Sequence, residues 1–476
     1  MVTKSDLFAS LPAEWPDDLL PAIQRRITQS GRKLVVLDDD PTGTQTVHSI
    51  PVLTEWSVDS LRAELADDGP CFYILTNSRS LTLPDAQTLN AEVGRNLRAA
   101  SADTGRAFAV VSRSDSTLRG HFPGEVDSLV DSLETDFDAW LIIPYFLEGR
   151  RYTINDVHYV ADGDHLIPAG ETPYAQDASF GYVASNLREW VVEKTGGRFS
   201  AADVATITLD DLRVGGPERV VEKLLSLPRG VMCVVNSVSY RDQEVFVAGL
   251  LAAEAQGKRY VYRTAASFVR VRAGIAPKPL LTQADLNLPE SGGGLFVVGS
   301  YVPKTTSQLD TLLDQTDTAA VELSVRALLD GTMRNGEIAR AAKAADEVLA
   351  QDQDVAIFTS RDLITGHDAA SSLAIGRSVS DGLIATMRAI QTQPRYLVGK
   401  GGITSSDIAT KGLDVKKAAV MGQILPGVPV WQLGPGSRYP NSAYIVFPGN
   451  VGDADSLAVI QSKFKVAALG QPNPLL

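Results

Sequence analysis

Short apolar runs recur along the chain, separated by stretches in which apolar residues return at helical spacing. In the first half the runs fall at 34–37, 71–75, 107–111, 139–143 and 231–235, with helical patterns at 59–66, 85–100 and 216–225. Continuous runs of this length, without polar alternation, suit strands buried on both faces. Strands alternating with helices predict an α/β domain with a mostly parallel sheet flanked by helices. Residues 282–294 are largely polar, carry Pro289 and end in Ser291-Gly292-Gly293-Gly294, which predicts a linker. A second series follows, with runs at 295–298, 319–321, 355–358, 395–398, 428–433 and 443–447 and helical patterns at 305–315, 335–350 and 368–391. The expected organisation is therefore two α/β domains, 1–281 and 295–476, joined by that linker. No sequence repeat relates the halves.

Several predicted strands end in residues that carry chemistry. The first runs into Asp38-Asp39-Asp40-Pro41-Thr42-Gly43-Thr44-Gln45-Thr46. Adjacent carboxylates repel one another and must be hydrated, hydrogen-bonded or paired with cations. A single Asp-x-x-Gly reads as a capped turn; three Asp followed by Thr-Gly-Thr leave a capped turn and a ligand site as alternatives. The second strand ends in Thr76-Asn77-Ser78-Arg79. The third ends in Ser112-Arg113-Ser114-Asp115-Ser116-Thr117-Leu118-Arg119-Gly120-His121. Arg grips a carboxylate in a forked geometry, and Asp binds hydroxyls or takes a hydroxyl proton. With Asp39 and Asp40 these residues suit a small polyhydroxy acid, the alternative being a surface cluster of ion pairs.

In the second half three loops follow predicted strands: Gly299-Ser300-Tyr301, Gly401-Gly402-Ile403-Thr404-Ser405-Ser406 and Gly449-Asn450-Val451-Gly452. Glycine lets backbone amides approach a ligand, and Ser and Thr add donors for phosphate oxygens. Each loop alone reads as a turn; three in one domain are what a nucleotide needs. Neither the Walker phosphate loop nor the dinucleotide-binding glycine fingerprint is present.

Composition narrows the classes. A chain of 476 residues exceeds one core. The formal net charge of −13 leaves no basic excess for nucleic acid. No apolar run reaches membrane-span length, and residues 1–16 hold no signal-like apolar core, so a cytoplasmic location is expected. Cys71 and Cys233 sit in apolar runs as small core residues, and no Cys/His spacing suits zinc.

Taken in order, Asp39-Asp40-Pro41-Thr42-Gly43, Ser78-Arg79, Asp115-Ser116-Thr117-Leu118-Arg119-Gly120, Gly299-Ser300, Gly401-Gly402-Ile403-Thr404 and Gly449-Asn450-Val451-Gly452 resemble the motifs of the four-carbon acid sugar kinases. The resemblance spans nearly the whole chain. It implies an N-terminal acid-sugar-binding domain and a C-terminal nucleotide-binding domain. Asp39, Asp40, Arg79, Asp115, Ser116, Thr117 and Arg119 would bind the sugar acid, with Arg79 and Arg119 on its carboxylate. Asp39 or Asp115 would orient or deprotonate the attacking hydroxyl, a choice the sequence leaves open. Ser300, Gly401, Gly402, Ile403, Thr404, Gly449, Asn450 and Gly452 would bind ATP. Mg2+ would neutralise its phosphates, within reach of Asp407, Asp453 or Asp455. The family also suggests a homodimer; with acceptor and ATP on different domains, the enzyme is expected to close and exclude water before transfer. A non-catalytic sensor of ATP and sugar acid, and a metal-dependent dehydratase or isomerase, are the rival readings. The chain departs from the family pattern at Thr44-Gln45-Thr46, at Val298-Gly299-Ser300-Tyr301 and in a long segment at 152–182, which bears on which sugar acid is used.

Overall fold

An apolar run that ends in a carboxylate can be wholly buried only if its last residue finds a partner at the strand end. Lys33–Asp38, β1 of the computed structural model, meets that condition: all six residues are buried. The structure describes residues 2–465 apart from Tyr301, 362–363, 365–366, Asp368 and Asn450. After Pro277 the chain divides into two compact units.

The main sheet of the first unit is built from β1, β2 (Ile50–Leu53), β3 (Cys71–Leu75), β4 (Phe108–Arg113), β5 (Ala139–Ile143), β6 (Ala205–Ile207), β7 (Val231–Val235) and β8 (Tyr260–Thr264). Their order is β6-β7-β5-β8-β4-β1-β3-β2, parallel throughout. Alternate strand residues Val35, Leu37, Phe72, Ile74, Val110 and Trp140 share one core with Leu61, Leu65, Val93, Leu97, Leu129 and Trp190 from the helices. Those helices are Val58–Ala66, Leu83–Thr104, Gly124–Leu133 and Leu187–Lys194. Ser57 and Thr82 cap the first two by accepting from the third helical amide. The helix Tyr240–Ala255 is apolar on most of its circumference and correspondingly buried.

β2, β6, β8 and a ribbon of this unit escaped the apolar-run pattern, β6 being only three residues long. β2 is short and contains Pro51; β8 carries a buried Arg263. Between β5 and β6 lies an antiparallel ribbon, Arg151–Ile154, Val157–Asp162 and His165–Pro168, whose polar and aromatic residues alternate. Its first turn places Asn155 and Asp156 at φ 51° and 65°, the left-handed pair that a two-residue hairpin requires.

The second unit holds β9 (Leu295–Val298), β10 (Ala319–Leu323), β11 (Val355–Thr359), β12 (Leu397–Lys400), β13 (Lys417–Leu425), β14 (Val428–Leu433) and β15 (Ala443–Phe447). Their order is β13-β14-β15-β12-β9-β11-β10. The pairs from β15 to β10 are parallel, and β13-β14-β15 form an antiparallel meander. β13 alternates exposed and buried residues, a half-buried strand rather than a continuous apolar run. Before β9, Leu281 and Leu286 are buried in this unit's core, and Thr282 and Asp285 form a reciprocal cap between them. No helix among the described residues is long and apolar enough to cross a membrane.

Candidate active site

In a parallel sheet every strand delivers its carboxyl end to the same edge, where α/β proteins hold ligands. In the first unit β8, β4, β1 and β3 are consecutive there; β1 and β4 end in Asp38 and Arg113, Arg263 is next to last in β8, and Arg79 follows β3. The three consecutive aspartates behave differently. Asp38 is buried, accepts from Arg113 at 3.2 Å and lies over Gly43, where a Cβ would come within 1.9 Å of its carboxyl oxygen. Burial pushes Asp38 up to about 7 against the pull of Arg113. Asp40 pairs with Arg79 and caps the following turn, its carboxyl accepting from the Thr42 amide at 2.8 Å. Burial alone would raise Asp40, but Arg79 and Thr42 outweigh it and hold it below the usual range.

Asp39 is the exception. Its Oδ2 accepts from the Ser114 hydroxyl at 2.6 Å, whereas its Oδ1 is buried without a hydrogen-bond partner; Arg113 stands 3.9 Å away. Burial pushes its carboxyl up, opposed by Arg79. Gly120, at φ +129°, forms the floor beside it: a Cβ there would meet Arg263 at 2.7 Å, Ser114 at 2.8 Å and Asp39 at 3.2 Å.

Asp115 is the hub of the next turn. It accepts from Arg119 Nε at 2.7 Å and from the Thr117 hydroxyl, and Arg79 Nη1 lies 3.6 Å from its other oxygen. Burial disfavours its charge, yet Arg119 and Arg79 prevail and hold Asp115 well below the usual carboxylate range. Ser116 and Thr117 are buried, with their carbonyls bonded to His158 and Tyr182. Leu118 adopts φ +69°, a costly conformation for a branched residue. A pocket opens here, lined by Ser114, Asp115, Leu118, Arg119, Arg263 and Trp190 among others.

The site-forming residues named from sequence in the first unit thus come together. Sequence reasoning missed Arg263 and Glu125, which bond each other at 2.6 Å, Glu125 also accepting from Ser78 at 2.7 Å. Its only signal was an arginine inside an otherwise apolar strand.

In the second unit β15, β12 and β9 are adjacent, so their three loops sit side by side. A Cβ on Gly299 would lie 2.5 Å from the Thr404 hydroxyl, and one on Gly401 would lie 3.3 Å from Ser300. Gly401, at φ +111°, donates its amide to the Phe447 carbonyl at 2.8 Å. Gly402 opens the short helix Gly402–Asp407, and Ile403 is exposed there. Gly449 and Gly452 follow β15, Gly452 at φ +81° against Ser456. Asn450 lies outside the described residues. Two cations that sequence reasoning passed over brace these loops. Lys400 is buried, donates to the Pro448 carbonyl at 2.6 Å and sits 4.0 Å from the Phe447 ring centre. Burial pushes Lys400 down to about 7. Arg361 donates to the Ser300 carbonyl at 2.7 Å.

Magnesium takes oxygen ligands, keeps waters and needs one or two carboxylates beside phosphates. Asp407 is engaged by Ser380 and Lys411. Asp453 and Asp455 are exposed beside the Gly449–Gly452 loop and fit that donor set. Among the described residues no three His, Cys, Asp or Glu side chains are grouped as metal ligands.

Comparison with known proteins agrees with this division. A family model described as a sugar-binding N-terminal domain matches residues 34–272, and one described as a nucleotide-binding C-terminal domain matches residues 295–457. A protein named D-erythronate kinase from Heliobacterium modesticaldum (strain ATCC 51547 / Ice1) is 24% identical over 399 residues, covering 80% of this chain and 84% of the relative. Two solved structures share the fold. One, a Haemophilus influenzae protein, has a TM-score of 0.60 at 19% identity and covers 90% of this chain and 100% of its own. The other, from Salmonella typhimurium LT2 and described as a tRNA synthase, has a TM-score of 0.64 at 17% identity and covers 91% and 100%.

Proposed function

The chain belongs to the four-carbon acid sugar kinase family, and on that premise we propose that it transfers the terminal phosphoryl group of ATP to a hydroxyl of a small sugar acid. The observation that carries the assignment of roles is the unpartnered, buried Oδ1 of Asp39. A general base needs a free lone pair and an affinity for the proton. Asp39 has both, since burial raises its carboxyl. Asp115 has neither: its oxygens are taken by Arg119, Thr117 and Arg79, and it stays ionised.

In this reading Asp39 accepts the proton of the attacking hydroxyl, while Ser114 fixes its other oxygen. Arg79 and Arg119 draw in the acceptor carboxylate, and Asp40 and Asp115 hold the two guanidiniums in register. Ser116 and Thr117 shape the turn. Ser300, Gly401, Gly402, Ile403, Thr404, Gly449, Asn450 and Gly452 receive the nucleotide. Asp453 or Asp455 would hold Mg2+ beside the phosphates, where it would supply charge neutralisation. Phosphoryl transfer asks for little else than positioning and charge stabilisation.

The test is a coupled ADP-release screen over four- and five-carbon sugar acids and their oxo forms. Turnover is expected with at least one four-carbon acid. A protein that binds ATP and an acid but releases no ADP is the sensor, and ATP-independent turnover points to a dehydratase or isomerase. Asp39→Asn is expected to lower the rate by about 10²- to 10⁴-fold, with ATP affinity within a few-fold of the parent. A collapse of ATP affinity in that variant refutes the role given to Asp39.

A further inference from the structure

The long segment between β5 and β6 reaches the site from outside. His158 Nε2 bonds the Ser116 carbonyl at 2.8 Å, and the Tyr182 hydroxyl donates to the Thr117 carbonyl at 2.8 Å. The Phe180 ring packs edge-on against His121, 4.9 Å between centres. The segment therefore clasps the 115–121 turn along its length. Its remaining reach is to Arg119. Asp177 Oδ2 lies 3.6 Å from Arg119 Nη1, and the Tyr174 ring centre lies 5.2 Å from the guanidinium carbon.

Arg119 lines the pocket. Asp115 takes its Nε edge, Asp177 its Nη1 edge, and Tyr174 one face. The wider cluster is paired in the same way. The guanidiniums of Arg79, Arg113, Arg119 and Arg263 face Asp38, Asp39, Asp40, Asp115, Asp177 and Glu125. Four guanidiniums thus face six carboxyl groups, two of which, Asp38 and Asp39, burial pushes up. An acceptor with one carboxylate adds a single negative charge to this cluster. A second carboxylate on the same acceptor finds the outer edge of Arg119 already held by an anion, and like charges at such separations repel.

We propose that Asp177, positioned over the outer edge of Arg119, is a specificity-determining residue that excludes acceptors bearing a second carboxylate, so that the site takes aldonic acids and turns away aldaric acids. This rests on the sugar-acid reading of the site. Asp177 also caps its own turn, with Oδ1 accepting from the amides of Ser179 and Phe180 at 2.9 and 3.0 Å. An asparagine keeps that cap while removing the charge, which separates the electrostatic role from the structural one.

The experiment measures dissociation constants by titration calorimetry for erythronate against meso-tartrate and for threonate against tartrate. In each pair the diacid has a carboxylate in place of the terminal CH2OH. The proteins are the full-length parent, Asp177→Asn and Asp177→Glu. The parent is expected to bind the better monoacid at least tenfold more tightly than its diacid. Asp177→Asn should close that gap about tenfold by tightening the diacid, with the monoacid moving less than threefold, and Asp177→Glu should restore it. An unchanged ratio in Asp177→Asn, or a parallel loss for both acids, overturns the inference, as does a parent that binds neither acid. ADP release is read on the same samples: its absence with every acid defeats the kinase reading, while the ratio of dissociation constants still decides the role of Asp177.

Discussion

Asp38, Asp39 and Asp40 are identical in composition and adjacent in sequence, yet each stands in a different environment. One is buried over a glycine, one keeps a free oxygen, and one is locked to Arg79. The acidic triplet announced a strand-end cluster, but its division of labour depended on Arg113 and Ser114, 75 residues away, and on Arg79, 39 residues away. Pairings over such separations are set by sheet order, which local pattern does not carry. Lys400 makes the same point in the second unit. In the sequence it only precedes two glycines; in the fold it lies buried beneath the Gly449 loop, among carbonyls and an aromatic ring. A buried cation with carbonyl partners fixes the backbone that offers them. Lys400→Met is therefore expected to weaken ATP binding about tenfold while leaving the sugar-acid dissociation constant within twofold. Equal losses for both ligands would show a general folding defect instead.

At the scale of elements, the continuous apolar strands and six helices, such as Leu83–Thr104 and Arg334–Leu349, were legible because their periodicities are strong, whereas Gly124–Leu133 and Tyr240–Ala255 were not named. The ribbon at 151–168 was not legible, because its buried residues mix Tyr152, Thr153 and His158 with Ile154, Val160 and Leu166 and form no continuous apolar run. What fastens it is His158, fully buried, with Nε2 donating to Ser116 and Nδ1 accepting from Thr153 at 3.0 Å. Burial lowers this imidazole from 6.5 to about 4, with Ser116 and Asp115 pulling the other way. The neutral ring is the form that fits, so its contribution is fully present above pH 6.5 and is lost as pH falls through about 4. A tenfold change in proton affinity is worth about 1.4 kcal/mol, so a fall from 6.5 to about 4 puts the loss near about 3 kcal/mol. Urea unfolding at a series of pH values should show a steeper acid loss in the parent than in His158→Gln; parallel curves would remove His158 from that role.

At the scale of the molecule, each unit has its own core and its own row of strand ends. The two ligands should therefore leave separate footprints. In hydrogen exchange on the full chain, a bound four-carbon acid is expected to protect 38–43, 76–79 and 113–121. A non-hydrolysable ATP analogue should protect 401–404 and 449–452. Protection of only the second set by the acid would contradict the assignment of ligands to units.

β8 comes last in the first unit's chain order but stands fourth in its row of eight, between β5 and β4. On the ribosome, then, β4 and β5 are made long before the strand that separates them. Synthesis at roughly 5–20 residues per second keeps their facing edges bare for on the order of ten seconds. Unpaired edges recruit other strands, so this interval is when a nascent chain is most open to mispairing or to capture by a chaperone. The arrival of Tyr260–Thr264 closes both edges and, in the same step, brings Arg263 to Glu125.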